Sequence, residues 1–245
     1  MYKEKKFLAI IPARGGSKGI KNKNIVNLKG KPLISYTIEE AKKSGIFDKI
    51  IVSTDSLEIA EISKKYGAEV PFLRPENLST DTASTMDVIL HALNYFINSG
   101  EYYDYFVLLQ PTSPLRKAED ILNAVDLLFK KDADSIVSVC EVEHSPLFSN
   151  TLPKDLSLSN FIRKDLRNKR RQDLPKYYRI NGAIYISKVE TFLKTKDFYE
   201  GKSYAYIMPI ERSIDIDSIV DLKLAEILME GWNENKRNKR FFNCK

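Results

Sequence analysis

The sequence predicts an α/β protein with a mostly parallel sheet, and three observations carry that prediction. Apolar runs of strand length recur at Phe7 to Ile11, Ile50 to Ser53, Tyr105 to Leu109 and Ser135 to Val139. Segments of helical periodicity separate them, and glycine or proline closes most elements. This alternation calls for right-handed crossovers, which leave helices on both faces and gather the loops that follow strands along one edge.

Phe7 to Ile11 is the first strand and runs into Pro12 and a glycine-rich loop. Pro32 suits the first turn of a helix whose apolar face is Leu33/Ile34, Ile38 and Ala41, with Gly45 beyond it. After the second strand, Ser56 reads as the cap of a helix bearing Ile59, Ala60 and Ile62, and Gly67 as its stop. Glu69 to Leu73 is a candidate strand. Thr82 to Ser84 leads into a helix predicted to bury Met86, Leu90, Leu93 and Ile97. Tyr105 to Leu109 ends at Gln110-Pro111, where proline cannot continue a ladder. A helix over 117–131 and the strand Ser135 to Val139 complete the regular alternation. From 141 to 180 the pattern breaks into a polar, basic segment with Pro146, Pro153 and Pro175. Periodicity resumes at Ala183 to Ile186 and Tyr204 to Met208, followed by a last helix carrying Ile219, Leu222, Ala225, Ile227 and Leu228. Residues 1–140 and 181–230 are therefore expected to form one α/β domain. Residues 141–180 are a small subdomain at a dimer contact, and 231–245 a basic tail.

Bulk properties narrow the classes. The chain has 245 residues, 43% of them hydrophobic, which argues against disorder. No apolar run reaches the roughly 18 residues of a membrane span, and Phe7 to Pro12 is too short for a secretory signal. Two cysteines, Cys140 and Cys244, allow neither a disulfide framework nor a four-thiolate metal site. A reducing cytoplasm is the expected compartment. The net charge of +6 is concentrated, with six basic residues and one acidic between Arg163 and Arg171. No zinc-finger spacing or RNA-binding signature accompanies it, so a nucleic-acid partner is not expected.

The chemistry starts in Ala13-Arg14-Gly15-Gly16-Ser17-Lys18-Gly19-Ile20-Lys21-Asn22-Lys23. Its glycines let backbone amides converge on an anion, and Arg14, Lys18, Lys21 and Lys23 bring full positive charge, a combination suited to phosphate. An ordinary basic surface loop is the alternative. The order matches neither the GxxxxGK[ST] loop nor the GxGxxG fingerprint. At the other end of the chain, Ser213-Ile214-Asp215-Ile216-Asp217 places two carboxylates on one side of an extended segment. Such a pair suits Mg2+ shared with substrate phosphates, although acids just before a helix also serve as caps. Arg171, Arg179, Asn181 and Tyr185 cluster in sequence. Arginine forks recognise planar carboxylates, so an acidic small molecule fits there, as does a basic solvated face over a core tyrosine. His91 reads as a packed helix residue, and His144 opens the irregular segment where it can face substrate. No covalent hydrolase arrangement emerges.

Taken together, IPARGGSKGIKNKNI, LRPENLSTDTAST, LLQPTSPLR, RRQDLPKYYRINGAIYI and IDID resemble, in order, the motifs of the acylneuraminate cytidylyltransferases (CMP-sialic acid synthetases) and of their relatives that activate legionaminic or pseudaminic acid. The resemblance runs from Ile10 to about Leu228. It implies a Rossmann-like mixed sheet, a homodimer joined through the irregular segment, and Mg2+-dependent transfer of CMP from CTP to a carboxylated nine-carbon sugar. On this resemblance Arg14, Gly16, Ser17 and Lys21 would grip the CTP phosphates, with Asn22 close by. Arg74, Ala83, Thr85 and Gln110 would line the nucleoside pocket. Gln110, Arg171, Arg179, Asn181 and Tyr185 would meet the sugar, Arg171 at its carboxylate, and Asp215 and Asp217 would bind the metal. Phe148 stands where some sialic-acid enzymes carry lysine, which weakens the case for sialic acid itself. The alternatives are the same reaction on legionaminic or pseudaminic acid, and a nucleotidyltransferase acting on a sugar 1-phosphate.

Overall fold

A computed structural model describes residues 1–17 and 19–242, without the side chains of Arg171 and of residues 232–242. Its centre is a six-stranded sheet, ordered β4-β1-β5-β7-β6-β8 among the described residues. The strands are β1 (Phe7–Pro12), β4 (Lys49–Ser53), β5 (Tyr105–Leu108), β6 (Ser135–Glu141), β7 (Tyr178–Lys188) and β8 (Ser203–Ile207). A two-residue hairpin, β2 (Asn27–Leu28) with β3 (Lys31–Pro32), lies apart from it. Strand β1 pairs in parallel with β4 and β5, and β6 with β8, whereas β7 runs antiparallel to both β5 and β6. The expected mixed, mostly parallel sheet is the observed one.

Among the described residues six helices flank the sheet: α1 (Leu33–Ser44), α2 (Leu57–Tyr66), α3 (Thr85–Asn98), α4 (Ala118–Lys130), α5 (Val189–Thr195) and α6 (Ile219–Phe242). Strand β1 is buried on both sides, as its unbroken apolar run requires. Phe7, Ala9 and Ile11 pack in one core layer with Ile34, Ile38 and Val125, while Leu8 and Ile10 pack in the other with Ile89, Leu93 and Phe192. Helix ends follow the sequence signals. Ser56 accepts from the Ile59 amide, and Gly45 and Gly67 close α1 and α2 at φ 66° and 95°.

Four expectations need correction. Glu69 to Leu73 is not a strand: it touches β4 only at isolated bridges, Ile51 with Glu69 and Thr54 with Leu73. Pro71 between them has no amide to donate, so no ladder can form. Helix α3 buries Val88, Ile89, Ala92, Leu93 and Phe96, whereas Met86, Leu90 and Ile97 are only partly covered. Both stripes are apolar, and packing selected the one carrying Phe96. Pro32 is the residue before α1 and not within its first turn, because it also closes the hairpin that turns through Lys29 and Gly30 at positive φ. Strand β7 begins five residues before Ala183 and passes through Gly182 at φ +74°, beside a register shift between Val137 and Val139. Such a bulge bends the strand and breaks the alternation that sequence periodicity relies on.

Topology places the site. The chain leaves β1, β4 and β5 at one edge of the sheet, and antiparallel β7 brings residues 178–184 to that same edge. Segment 142–177 leaves from the end of β6 and re-enters at the start of β7, so it projects from the edge too. Beyond β8 a short turn leads into residues 213–217, which cross the edge with the Ile216 amide donating to the Thr112 carbonyl at 2.8 Å. A third apolar cluster, with Ile20, Leu28, Leu33, Leu115, Ile214 and Ile216, lies beneath and joins the glycine loop to this late strap.

Candidate active site

A cleft of about 470 Å³ opens at that edge. It draws Arg14, Ser17, Arg74, Ala83, Thr85, Gln110, Asp215 and Asp217 from segments spread over 200 residues of sequence. Two backbone contacts explain why the segments meet. A Cβ on Gly19 would stand 2.4 Å from the Asp217 carbonyl oxygen, so only glycine lets the loop lie against the acidic strap. The Gly15 amide donates to Asp55 Oδ1 at 2.9 Å, tying the loop to the end of β4.

Cations and carboxylates interleave around the cleft. Arg14 donates from Nη1 to the Thr80 carbonyl at 2.8 Å and pairs through Nη2 with Asp81 at 2.8 Å. Lys23 Nζ lies 2.8 Å from Asp217 Oδ1. Buried Asn24 donates to the Arg14 carbonyl at 2.9 Å and so fixes the backbone of that residue. Arg74, only 6% exposed, donates to the Ser53 hydroxyl at 3.1 Å and to the Ser53 carbonyl. Burial, which disfavours its charged form, lowers its pKa to about 10. Ala83 and Thr85 flank Ser84, whose side chain accepts from the Asp87 amide at the start of α3, so both sit at the positive end of that helix.

The two aspartates differ. Burial pushes the Asp215 carboxyl above its usual range, the hydroxyl of Thr112 opposes that shift, and the charge of Asp217 adds to it. Its Oδ1 is buried with no hydrogen-bond partner, whereas Asp217 is exposed. Among the described residues no group of three or more His, Cys, Asp or Glu side chains could hold a metal alone. An orphaned buried carboxylate oxygen and a second acid two residues on, with cations beside them that suit phosphate, nevertheless fit Mg2+, which takes few protein oxygens and completes its shell from phosphate and water.

Other expected residues lie elsewhere. Lys21 and Asn22 are exposed and do not line the cleft, whereas Lys23 and Asn24 do. Asn22 is left-handed at φ 53° ahead of the 3-10 turn Lys23–Ile25, and this turn directs the second Lys-Asn pair inward. Gly16 is exposed, with open space around its α-carbon. Asn181 is an internal strut: Oδ1 accepts from the Ser138 hydroxyl at 2.6 Å, and Nδ2 donates to the Ser213 hydroxyl at 2.8 Å. Arg179 donates to the Ser213 carbonyl at 3.2 Å, so both brace the head of the acidic strap. Tyr185 stacks at a tilt on Phe198, 5.2 Å between centroids, and burial raises its hydroxyl to about 12. The Arg171 side chain and all of Lys18 lie outside the described residues.

Sequence reasoning missed Gly182 and Arg116. A Cβ on Gly182 would approach Gln110 Oε1 at 2.5 Å and Asp215 Oδ2 at 3.5 Å, so this glycine is the floor on which both side chains rest. Arg116 is fully buried and donates to the carbonyls of Ala183 at 2.6 Å and Gln110 at 3.3 Å, and to the Thr37 hydroxyl at 2.7 Å. It thereby joins β7, the loop after β5 and α1 under the cleft.

Comparison with known proteins gives concordant results. The family model described as cytidylyltransferase matches residues 8–240. An N-acylneuraminate cytidylyltransferase of Escherichia coli is 41% identical over 94% of this chain and 54% of its own. A CMP-N,N'-diacetyllegionaminic acid synthase of Legionella pneumophila is 39% identical over 92% of this chain and 97% of its own. A pseudaminic acid cytidylyltransferase of Campylobacter jejuni is 37% identical over 94% and 99%. The chain thus spans about half the length of the sialic-acid relative and nearly the whole of the other two. The fold is also that of a CMP:2-keto-3-deoxy-manno-octonic acid synthetase complexed with CTP, with TM-score 0.67, 16% identity, and coverage of 92% of this chain and 99% of that one.

Proposed function

The chain belongs to the cytidylyltransferase family, and from that premise we propose that it transfers CMP from CTP to the anomeric 2-hydroxyl of a nonulosonic acid, with release of pyrophosphate. One observation carries the reading: Arg14 and Lys23 share a single cleft with Asp215 and Asp217. A triphosphate needs cations for its leaving end and anionic metal ligands near the reacting phosphorus, and the two sets are here side by side.

The anomeric hydroxyl loses its proton to solvent water as its oxygen attacks the α-phosphorus, the bond from that phosphorus to the oxygen bridging to the β-phosphate breaks, pyrophosphate leaves with the bridging oxygen, and the attacking oxygen stays in the CMP-sugar. Arg14 and Lys23 neutralise the departing pyrophosphate. Asn24 keeps Arg14 in register through its carbonyl. Arg74, Ala83 and Thr85 hold the nucleoside, and Gln110, resting on Gly182, faces the sugar. Asp215 and Asp217 would hold Mg2+, which when bound offsets developing negative charge and lowers the pKa of the attacking hydroxyl. Arg171 remains the proposed partner of the sugar carboxylate, and the projecting 142–177 segment the proposed dimer contact. The reaction is assigned to the cytoplasm, where CTP is available.

The sugar is proposed to be of the N-acylneuraminate class, with legionaminic or pseudaminic acid as the second reading. The full-length match to the legionaminic and pseudaminic enzymes favours the second. Pyrophosphate release from CTP, UTP and GTP, measured with sialic, legionaminic and pseudaminic acids and with a sugar 1-phosphate, tests the assignment. The expected result is release with CTP and a free carboxylated ketose only. Release that requires the sugar 1-phosphate would replace this reading with the rival one.

The geometry also separates two neighbouring lysines. Lys23→Met is expected to lower kcat/KM for CTP by about 10²-fold, the scale for removing one charge from a transition state. Lys21→Met should stay within about twofold, as exposed surface changes do. Steady-state kinetics of the two variants decides between them, and the opposite ranking would return the phosphate role to Lys21.

A further inference from the structure

We propose that Asp81 is an internal counter-ion that sets a charge threshold for the cleft, holding Arg14 until a ligand bearing a pyrophosphate group displaces it. The proposal rests on the reading above in taking a triphosphate as the natural ligand.

Arg14 directly precedes Gly15 of the glycine loop, and both ends of its guanidinium are occupied by one short segment. Nη1 donates to the Thr80 carbonyl and Nη2 pairs with Asp81 Oδ1, each at 2.8 Å. Thr80 and Asp81 themselves line the cleft, between the 3-10 turn Glu76–Leu78 and α3. An acid here is costly for a site that must accept a polyanion, and the turns around it are closed by other groups. Helix α3 is capped by Ser84, which accepts from the Asp87 amide at 3.1 Å, and Thr80 and Thr82 bond to each other at 3.2 Å. The backbone of Arg14 is anchored separately by Asn24. Its side chain can therefore exchange partners while its base stays fixed.

Competition follows from charge. The pair is partly exposed, 30% for Arg14 and 46% for Asp81, so it is weak enough to be displaced. A pyrophosphate group brings several negative charges and many acceptor oxygens to the guanidinium fork and outcompetes one carboxylate. A neutral nucleoside does not. When pyrophosphate leaves, Asp81 retakes Arg14, which opposes rebinding of the product.

The test is a ³¹P NMR titration with inorganic pyrophosphate, carried to millimolar concentration in Mg2+ buffer, alongside calorimetric titration with cytidine. Asp81→Asn is expected to bind pyrophosphate about three- to fivefold more tightly, the scale of a half-exposed ion pair, and cytidine unchanged. Asp81→Ser should match it, and thermal melting reports whether each variant is folded. In an Arg14→Gln background the tightening should vanish, because the competition has lost its object. Unchanged or weaker pyrophosphate binding in the Asp81 variants overturns the proposal. The same tightening without Arg14 also overturns it, by making Asp81 a general repulsive charge. Neither probe depends on turnover, so a chain that fails to use CTP yet shows the coupled tightening would sink the activity reading alone.

Discussion

Asp215→Asn will cost about 10²- to 10³-fold in kcat, the scale for loss of one preorganised charge interaction, while leaving the protein at least as stable as the parent at neutral pH. The first half follows from the proposed role: an amide brings no charge to a cation. The second follows from burial. Asp215 lies in the cleft wall with one oxygen unpartnered, and its pKa is raised chiefly because burial disfavours the carboxylate. A carboxyl whose pKa is higher in the folded chain favours folding when protonated, and this contribution is lost as pH rises through the raised value. At neutral pH the folded chain therefore carries a strained charge, and asparagine removes it. Turnover and thermal melting on the same preparation check both parts. A variant that loses stability together with activity would make Asp215 a structural residue.

Gly182→Ala is expected to damage both activity and fold. Residue 182 sits at φ +74°, where an added Cβ costs about 1–2 kcal/mol. That corresponds to a fall of about 2–8 °C in Tm for a chain of this size. The new methyl would also stand 2.5 Å from Gln110 Oε1 and 3.5 Å from Asp215 Oδ2, forcing aside two cleft residues. Displacement on the order of 1 Å can cost about 10²-fold in rate. Gly100→Ala is the control, because its φ is also positive, at +75°, yet nothing lies within 4 Å of its added Cβ, and it does not line the cleft. Equal behaviour of the two alanine variants would remove Gly182 from the site.

Features encoded locally were legible in the sequence. The apolar run of β1, the caps at Ser56 and Gly67 and the proline after β5 each state a geometry that the chain adopts. The convergence of the glycine loop with the late acidic strap was also foreseeable, because β-strand topology sends both to one edge. What escaped depends on contacts between distant segments. The doubled Lys-Asn in Lys21-Asn22-Lys23-Asn24 carries no mark of which copy turns inward, since the phase of a three-residue turn decides it. Asn181 reads as a polar group beside a glycine, and only the fold shows it bonded to Ser138 and Ser213. Arg116 belongs to a segment quoted for its resemblance, yet its burial under the cleft has no signature in composition. Helix α5 was missed because seven residues that follow directly on a strand offer barely two turns of periodicity.

On the proposed function, one triphosphate lies between the amino-terminal cations and the late aspartate pair. A crystal structure of the protein with CTP and Mg2+ tests it most directly. The expected density places the β- and γ-phosphates against Arg14 and Lys23 and the α-phosphate beside Asp215 and Asp217. Density for CTP in the apolar groove between α3 and α5, near Phe96 and Tyr103, with the edge cleft filled by water alone, would contradict it.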